Sequence, residues 1–382
     1  PIFNILYSKY VSPFERAFFK LPEVCNACDF DSCGKKFAKL VENSMTFDEN
    51  DMSKYESSQR DFMLGLEHYV MKESMKGFSW FNEEEFDKLF AIKCEKKGQT
   101  PNGVRFSFLW CRGSGDMDTS CGNGVLNYIS SMYTLIKNHC PNPDRHEFDG
   151  SCCKPQLMLK GDDSVLGNPG DKQIVDYYSH FGFDAKILHR KMWYEVEFCS
   201  GRYIRNGSGF FYLQNLRKLL TSLQSVINHD FTSHVRDYYY SLGVMYSKVY
   251  AGIPVYSDLA KWLMSSGGKQ FDIDESYGIS EAYKNLGVYQ LKSSYNDMLA
   301  DISSVMGFSF SELQVLIKFF RTTPLWIPDA LCRPRRSKRG VKVDLDIKHI
   351  YCPKLILNSR QNKIYHYLRL SKVWVGGHTC RF

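Results

Sequence analysis

The sequence predicts an α+β fold: an antiparallel sheet with helices on one face, followed by a mainly helical region. Three observations carry this. Strand-like and helix-period segments alternate between residues 45 and 207. The glycine turn Gly161-Asp162-Asp163 joins two strand-length apolar runs. From about residue 208 the apolar spacing turns helical, as in Leu213, Leu216, Leu220, Leu223 and Val226.

Residues 45–49 (MTFDE) read as a short strand leading to Asp51, and Phe62, Leu66, Tyr69 and Val70 then fall at helical spacing. QTPNG at 99–103 is a turn before the alternating strand VRFSFLW at 104–110. After the glycine-rich stretch 113–115, a long helix has one apolar face (Cys121, Val125, Ile129, Met132, Ile136) and one polar face (Thr119, Asn123, Asn127). LMLKGDDSVLG at 157–167 reads as a hairpin with the aspartates at its tip. Gly161 there frees the backbone for a tight turn and a close approach, and adjacent strand residues point to opposite faces. Residues 171–181 read as a helix, and Phe183–Ile187 and Tyr194–Cys199 as strands. The succession suits a split βαβ arrangement.

A chain of 382 residues with 43% hydrophobic and 15% aromatic content has ample material for a large core of two or three subdomains. Its net charge of +7 permits a polyanionic partner without demanding one. The 13 scattered cysteines suit reduced thiols in a cytosolic compartment rather than a disulfide framework. No apolar run approaches the roughly 18 residues of a membrane span. The chain opens directly into Pro1-Ile-Phe-Asn-Ile-Leu-Tyr, which reads as a segment of a longer polypeptide.

Asp51 follows its strand and Asp162 sits at the hairpin tip 111 positions later, so pairing of those strands would bring two carboxylates together. Carboxylates repel unless cations stand between them, and Mg²⁺ prefers such oxygen ligands. Two ions about 3.5–4 Å apart serve phosphoryl transfer. The second constellation is CRGSGDMDTSCGNG at 111–124, where a glycine loop runs into a helix with Ser114, Thr119 and Asn123 on one side. Such neutral groups suit a ribose or a nucleic-acid backbone, and an ordinary capped loop is the plain alternative.

These stretches together resemble viral RNA-dependent RNA polymerases. Asp51 with Glu56 (DMSKYE) is similar to the first palm motif, Ser114-Gly115-x3-Thr119-x3-Asn123 to the second, and Gly161-Asp162-Asp163 to the third. GFDAKI at 182–187 and FCS at 198–200 resemble the fourth and fifth. The second motif and AGIPVYSDL at 251–259 are similar to tombusvirus-like polymerases of positive-strand RNA viruses, in the flavivirus-like supergroup. ENDMSKYESSQ at 49–59 is also similar to alphavirus-like and hepevirus-like sequences.

The resemblance implies a right-hand polymerase. Residues 1–44 would be a remnant of the fingers and palm entry, 45–207 a palm with a finger insertion near 77–110, and 208–382 a thumb. Asp51 and Asp162 would hold two Mg²⁺ ions, with Mn²⁺ as a substitute, and Asp163 would support them. Glu56, Ser114, Gly115, Thr119 and Asn123 would surround the ribose and its 2′-hydroxyl. Lys186, with Lys191 in reserve, would stand near the leaving pyrophosphate. Phe198, Cys199 and Ser200 would brace the primer. Template and primer RNA, ribonucleoside triphosphates and other replicase proteins follow as partners, at membrane-associated replication complexes in the host cytoplasm.

Two features depart from the pattern. Glu56 stands where a second Asp is usual, and no arginine-rich finger motif for the triphosphate lies in residues 1–50, so the fingers are expected to be truncated. A reverse transcriptase shares the palm carboxylates, but generally carries an aromatic residue at the position of Gly161 and another near Glu56. A catalytically dead RNA-binding module is the non-enzyme alternative, although all three aspartates are retained.

Two clusters stand outside this scheme. Cys25, Cys28 and Cys33 (C-x2-C-x4-C) read as buried thiols or, with one further ligand, a zinc cluster. The basic run RPRRSKR at 333–339 reads as an RNA-phosphate contact or a solvated loop, before a strand-like tail through Val341, Val343, Leu345 and Ile347.

Overall fold

The computed structural model describes residues 2–113, 115–145, 153–223, 234–270, 291–325 and 327, with the backbone of 374–375 and 378–379. The chain divides into two units, Pro1–Tyr203 with Gly209–Tyr212, and Ile204–Ser208 with Leu213–Phe382.

The first unit begins with α1 (Ile2–Phe18), α2 (Phe30–Glu42), β1 (Thr46–Met52), the single turn α3 (Tyr55–Ser58), α4 (Asp61–Met75) and α5 (Glu83–Cys94). The hairpin β2 (Glu95–Gln99) and β3 (Arg105–Leu109) leads to α6 (Thr119–His139). Then come the hairpin β4 (Gln156–Lys160) and β5 (Asp163–Asn168), β6 (Ala185–Arg190), and the hairpin β7 (Gly201–Asn206) and β8 (Gly209–Gln214).

The central sheet has the order β4-β5-β1-β6 with every neighbouring pair antiparallel. Its apolar residues alternate between two cores. Met52, Leu157, Leu159 and Leu166 join a cluster with side chains of α1, α4, α5 and α6. Phe47, Met158 and Val165 join Phe37 and Leu40 of α2 with Tyr203 and Tyr212. The Phe37 and Tyr203 rings stack at 3.7 Å between centroids. The expected helical layer is present, and α2 with part of the β7–β8 hairpin lies on the opposite face as well. Coverage on both faces explains why Leu157, Met158 and Leu159 are apolar without alternation.

Helix α4 forms as the spacing predicts, but its buried face is Met63, Leu64, Glu67, Met71 and Met75. Phe62 and Tyr69, expected inside, are 65% and 59% exposed. The buried charge of Glu67 breaks the apolar stripe that periodicity follows, and an ion-pair network described below accounts for it.

Residues 171–181 form no α-helix, only a 3-10 turn at Tyr178–Phe181. Side chains take the backbone amides that a helix would use. Ile174 N–H donates to Asp48 (3.3 Å), Val175 N–H to Asn138 (2.8 Å) and Tyr178 N–H to Asp176 (2.8 Å). The strand expected at Phe183–Ile187 is β6, shifted to Ala185–Arg190. The strand expected at Tyr194–Cys199 is instead a 3-10 turn, Trp193–Glu195, followed by a tight turn into β7.

In the second unit helices predominate: α7 (Leu216–Ser222), α8 (Val235–Val249), α9 (Tyr256–Met264), α10 (Tyr295–Met306) and α11 (Phe310–Thr322), with the short strands β9 (Trp374–Val375) and β10 (His378–Thr379). Leu213, expected in the first helix, lies on β8. Helix α8 packs against α9 at Gly243, where a Cβ would meet the Ala260 carbonyl oxygen at 2.7 Å. Buried Asp258 on α9 accepts from Arg321 Nε on α11 at 2.7 Å. Val226, the run 333–339 and the tail residues Val341 to Ile347 lie outside the described residues.

Candidate active site

The hairpin turn consists of Gly161 and Asp162, closed by the pair Lys160 and Asp163. Gly161 has φ +61°, a left-handed conformation that a side chain resists. Asn127 of α6 fixes the turn, its Nδ2 donating to the Gly161 carbonyl at 3.1 Å and the Asp162 carbonyl at 3.0 Å. The Ser131 hydroxyl donates to Asn127 Oδ1 at 2.9 Å, which sets the orientation of the amide.

Asp51 reaches the same end of the sheet from β1, since Asn50 pairs with Ser164 of β5 in register. On its other side Asp51 stands opposite Lys186 of β6. Directly opposed residues of an antiparallel pair share a face, so Lys186 and Asp51 project to one side. Lys191 lies past the end of β6, its backbone N–H bonded to Glu195.

A hydrogen-bonded chain connects the first two motifs. Arg112 Nε donates to Gln59 Oε1 (2.6 Å), Gln59 Nε2 to Asn123 Oδ1 (2.8 Å), and Asn123 Nδ2 to Glu56 Oε1 (3.4 Å). Tyr55 OH also donates to the Asn123 carbonyl at 3.2 Å. Arg112 is anchored in turn by a buried network. It pairs with Glu67 and with Asp118 (3.4 Å), while Lys93 pairs with Asp118 (2.7 Å) and Glu67 (3.2 Å). Tyr7 OH donates to Asp118 at 3.0 Å. Two cations against two carboxylates leave the network neutral, and burial without such pairing would be very costly. Lys93 and Arg112 hold the Asp118 carboxyl below its ordinary value although burial opposes them. The network requires glycine at position 122, where a Cβ would meet Arg112 Nη1 at 2.4 Å.

The glycine loop is braced locally. Gly113 N–H donates to Asp116 (2.9 Å), Lys96 of β2 binds the same carboxylate (2.6 Å), and Thr119 Oγ1 donates to the Gly113 and Asp116 carbonyls, each at 2.8 Å. The Thr119 proton is therefore spent on the loop, and its oxygen lone pairs are what it offers outward. Gly115 is exposed, and Ser114 lies outside the described residues.

These parts line a cleft of about 620 Å³, with Glu56, Thr119, Asn123, Gly161, Asp162, Asp163, Cys199 and Ser200 on its walls. Cys199 and Ser200 form a two-residue turn with φ of +49° and +60°, held by reciprocal 2.9 Å bonds between Phe198 and Gly201. The Tyr212 hydroxyl donates to the Cys199 carbonyl at 2.8 Å. Phe198 itself is 2% exposed and packs in the core beside Phe37 and Phe47, so it supports this turn from beneath.

Burial raises the Asp162 carboxyl above its ordinary value, and the nearby charges of Glu56 and Asp51 raise it further. The Asp51 and Asp162 carboxylates, brought to one end of the sheet, form an oxygen donor set suited to a hard divalent cation.

Comparisons with known proteins place the chain in a family. Residues 66–317, more than half of the chain, fit the family model described as viral RNA dependent RNA polymerase. The chain belongs to this family. The matched range begins after Asp51 and Glu56, which the fold itself places beside Asp162. The RNA-directed RNA polymerase of Groundnut rosette virus (strain MC1) is 25% identical over 297 residues, covering 72% of this chain and 32% of that protein. The RNA-directed RNA polymerase of Turnip crinkle virus is 26% identical over 246 residues, covering 58% of this chain and 28% of that protein. The chain thus spans about a third or less of these relatives' length. An insertion-loop deletion mutant of the RNA-dependent RNA polymerase of a human picorbirnavirus shares the fold. Its TM-score is 0.51 at 14% identity, over 84% of this chain and 58% of that one.

Viral RNA-dependent RNA polymerases work with divalent metal ions, and the Asp51 and Asp162 donor set fits them. Sequence reasoning missed Gln59, Glu67, Lys93, Arg112 and Asp118. Glu67, in line with Met63, Leu64 and Met71 on a helix, was the available signal. A charge on a core face requires a buried partner.

Proposed function

We propose that this chain carries the palm and thumb of a replicase that synthesises RNA on an RNA template by two-metal nucleotidyl transfer. The observation that carries this is the convergence of Asp51, Glu56, Asn123 and Asp162 at one end of the sheet, within a chain of this family.

Asp51 and Asp162 would hold two Mg²⁺ ions, or Mn²⁺ in their place, and Asp163 would support them. When bound, these ions supply charge stabilisation to the attacking and leaving oxygens. Glu56 and Asn123 bind the ribose, the carboxylate accepting from the 2′-hydroxyl and the amide, aimed by Gln59, adding a second bond. Thr119 contributes acceptor lone pairs. Ser114 and Gly115 are proposed to complete this wall. Lys186, sharing a face with Asp51, offers a cation to the departing pyrophosphate. The Cys199-Ser200 turn, propped by Phe198, presents its backbone to the primer end.

Template and primer RNA, ribonucleoside triphosphates and other replicase proteins are the proposed partners. Membrane-associated replication complexes in the host cytoplasm are the proposed location. Among the described residues no helix is long and apolar enough to cross a membrane.

The test is RNA-templated primer extension by the full-length parent polypeptide, with ribonucleotides and deoxynucleotides supplied separately. Preferential ribonucleotide incorporation supports the reading. Equal use of deoxynucleotides overturns it in favour of a reverse transcriptase-like enzyme.

A further inference from the structure

Three thiols converge on the α2 side of the central sheet. The Sγ atoms of Cys25, Cys28 and Cys33 all lie within 4.8 Å of one another. Cys25 and Cys33 are buried and Cys28 is half-buried, so the cluster opens to solvent at one corner. Around a tetrahedral zinc with Zn–S of about 2.3 Å, sulfurs stand roughly 3.8 Å apart. The three thiols therefore need to close by no more than about 1 Å to share one ion.

The segment that carries them is built independently of any metal. Asp29 caps α2 by accepting from Ser32 N–H at 2.7 Å, which sets Cys33 in the first turn. Lys36, one turn further on, donates to the carbonyls of Leu21 (3.1 Å), Pro22 (2.8 Å) and Val24 (2.7 Å). These bonds tie the loop bearing Cys25 and Cys28 onto the helix. The loop is also stitched to β4, with Cys25 N–H donating to the Leu159 carbonyl at 2.8 Å and Leu159 N–H to the Glu23 carbonyl at 2.9 Å. Lys36 and Lys160 both lie near enough to act electrostatically on Cys28, so positive charge stands by for a tris-thiolate.

We propose that Cys25, Cys28 and Cys33 bind one Zn²⁺ ion through three thiolates, with a fourth position open to water at the Cys28 corner. Binding releases the thiol protons to solvent and involves no redox change. A disulfide would employ only two of the sulfurs and leave the third stranded beside it. Neither the carboxylates nor the ribose-binding groups take part, so the site is structural. It clamps the loop bearing Cys25 and Cys28 to the first turn of α2, and backbone bonds join that loop to β4, the strand that runs into Gly161 and Asp162.

The test is metal analysis of the chain, purified under reducing conditions, stripped with a chelator and dialysed against Zn²⁺ or Co²⁺. One zinc per chain, a thiolate-to-cobalt charge-transfer absorption and a higher melting temperature with zinc are expected. Cys28→Ser, at the least buried ligand, should weaken zinc affinity by more than the roughly 10–100-fold that loss of an outer-shell partner costs. Cys111→Ser, at another free thiol, should bind as the wild type does. Failure to retain zinc, a cobalt complex without thiolate absorption, or wild-type affinity in Cys28→Ser overturns the proposal. None of these readouts depends on polymerase activity.

Discussion

Asn127 holds Asp162 in place from a different element, its side-chain amide donating to the Asp162 carbonyl at 3.0 Å while also bonding Gly161 at 3.1 Å. A helix residue thereby sets the backbone of the hairpin turn that carries the proposed metal ligand Asp162. Asn127→Ala removes both bonds without touching a carboxylate. Urea unfolding should show a loss of about 1–2 kcal/mol, and RNA synthesis by the parent replicase should slow at saturating nucleotide. An unchanged turnover would mean that the turn is held by other means.

Gln59 aims Asn123 and is itself held by Arg112. Gln59→Leu leaves a buried amide oxygen and a guanidinium N–H without this partner, which costs about 1–3 kcal/mol. The sharper readout is selectivity. The ratio of kcat/KM for a ribonucleotide over its deoxy counterpart should fall, because Asn123 loses its fixed orientation beside Glu56. A lowered melting temperature with an unchanged ratio would show that Gln59 matters for stability alone.

Burial, Glu56 and Asp51 hold the Asp162 carboxyl above its ordinary 3.8. Through the pH range just above the ordinary carboxylate value, the folded, metal-free protein therefore binds more proton at this group than the unfolded chain does. This stabilisation is fully present below the unfolded value and is lost as pH rises through the folded one. In chelator, Asp162→Asn should therefore match wild-type melting at acid pH and melt progressively higher than wild type as pH rises through that window. Added Mg²⁺ should close the gap at neutral pH. A gap that does not vary with pH would contradict the assigned charge coupling.

Ser200 adopts a left-handed φ of +60° beside Cys199 at +49°. Such a conformation costs a residue with a side chain roughly 1–2 kcal/mol. Ser200→Gly should leave thermal stability equal or higher, and Ser200→Val, β-branched, should lower it. Equal melting temperatures for the two variants would show that the turn relaxes.

The hairpin at 157–167 and the helix carrying Thr119, Asn123 and Asn127 were legible because the glycine turn between two apolar runs and a four-residue polar spacing are local signals. Residues 171–181 were not, because their backbone amides bond to Asp48, Asn138 and Asp176, two of which lie far away in sequence. The α4 face was misread for a related reason. Its buried side includes Glu67, acceptable only because Arg112 and Lys93 arrive from elsewhere. At the candidate site the carboxylates were proposed from motifs, whereas Gln59 and Arg112, which orient Asn123, act through tertiary bonds that no local pattern displays.

The most direct test of the central claim is RNA-templated synthesis by the parent replicase with Asp162→Ala. The variant should fold, since Asp162 lies on a turn held by its backbone. Loss of a metal-binding carboxylate should lower the rate by about a thousandfold, equivalent to roughly 4 kcal/mol. RNA synthesis at the wild-type rate would contradict the assignment of Asp162 as a metal ligand and, with it, the proposed catalytic site.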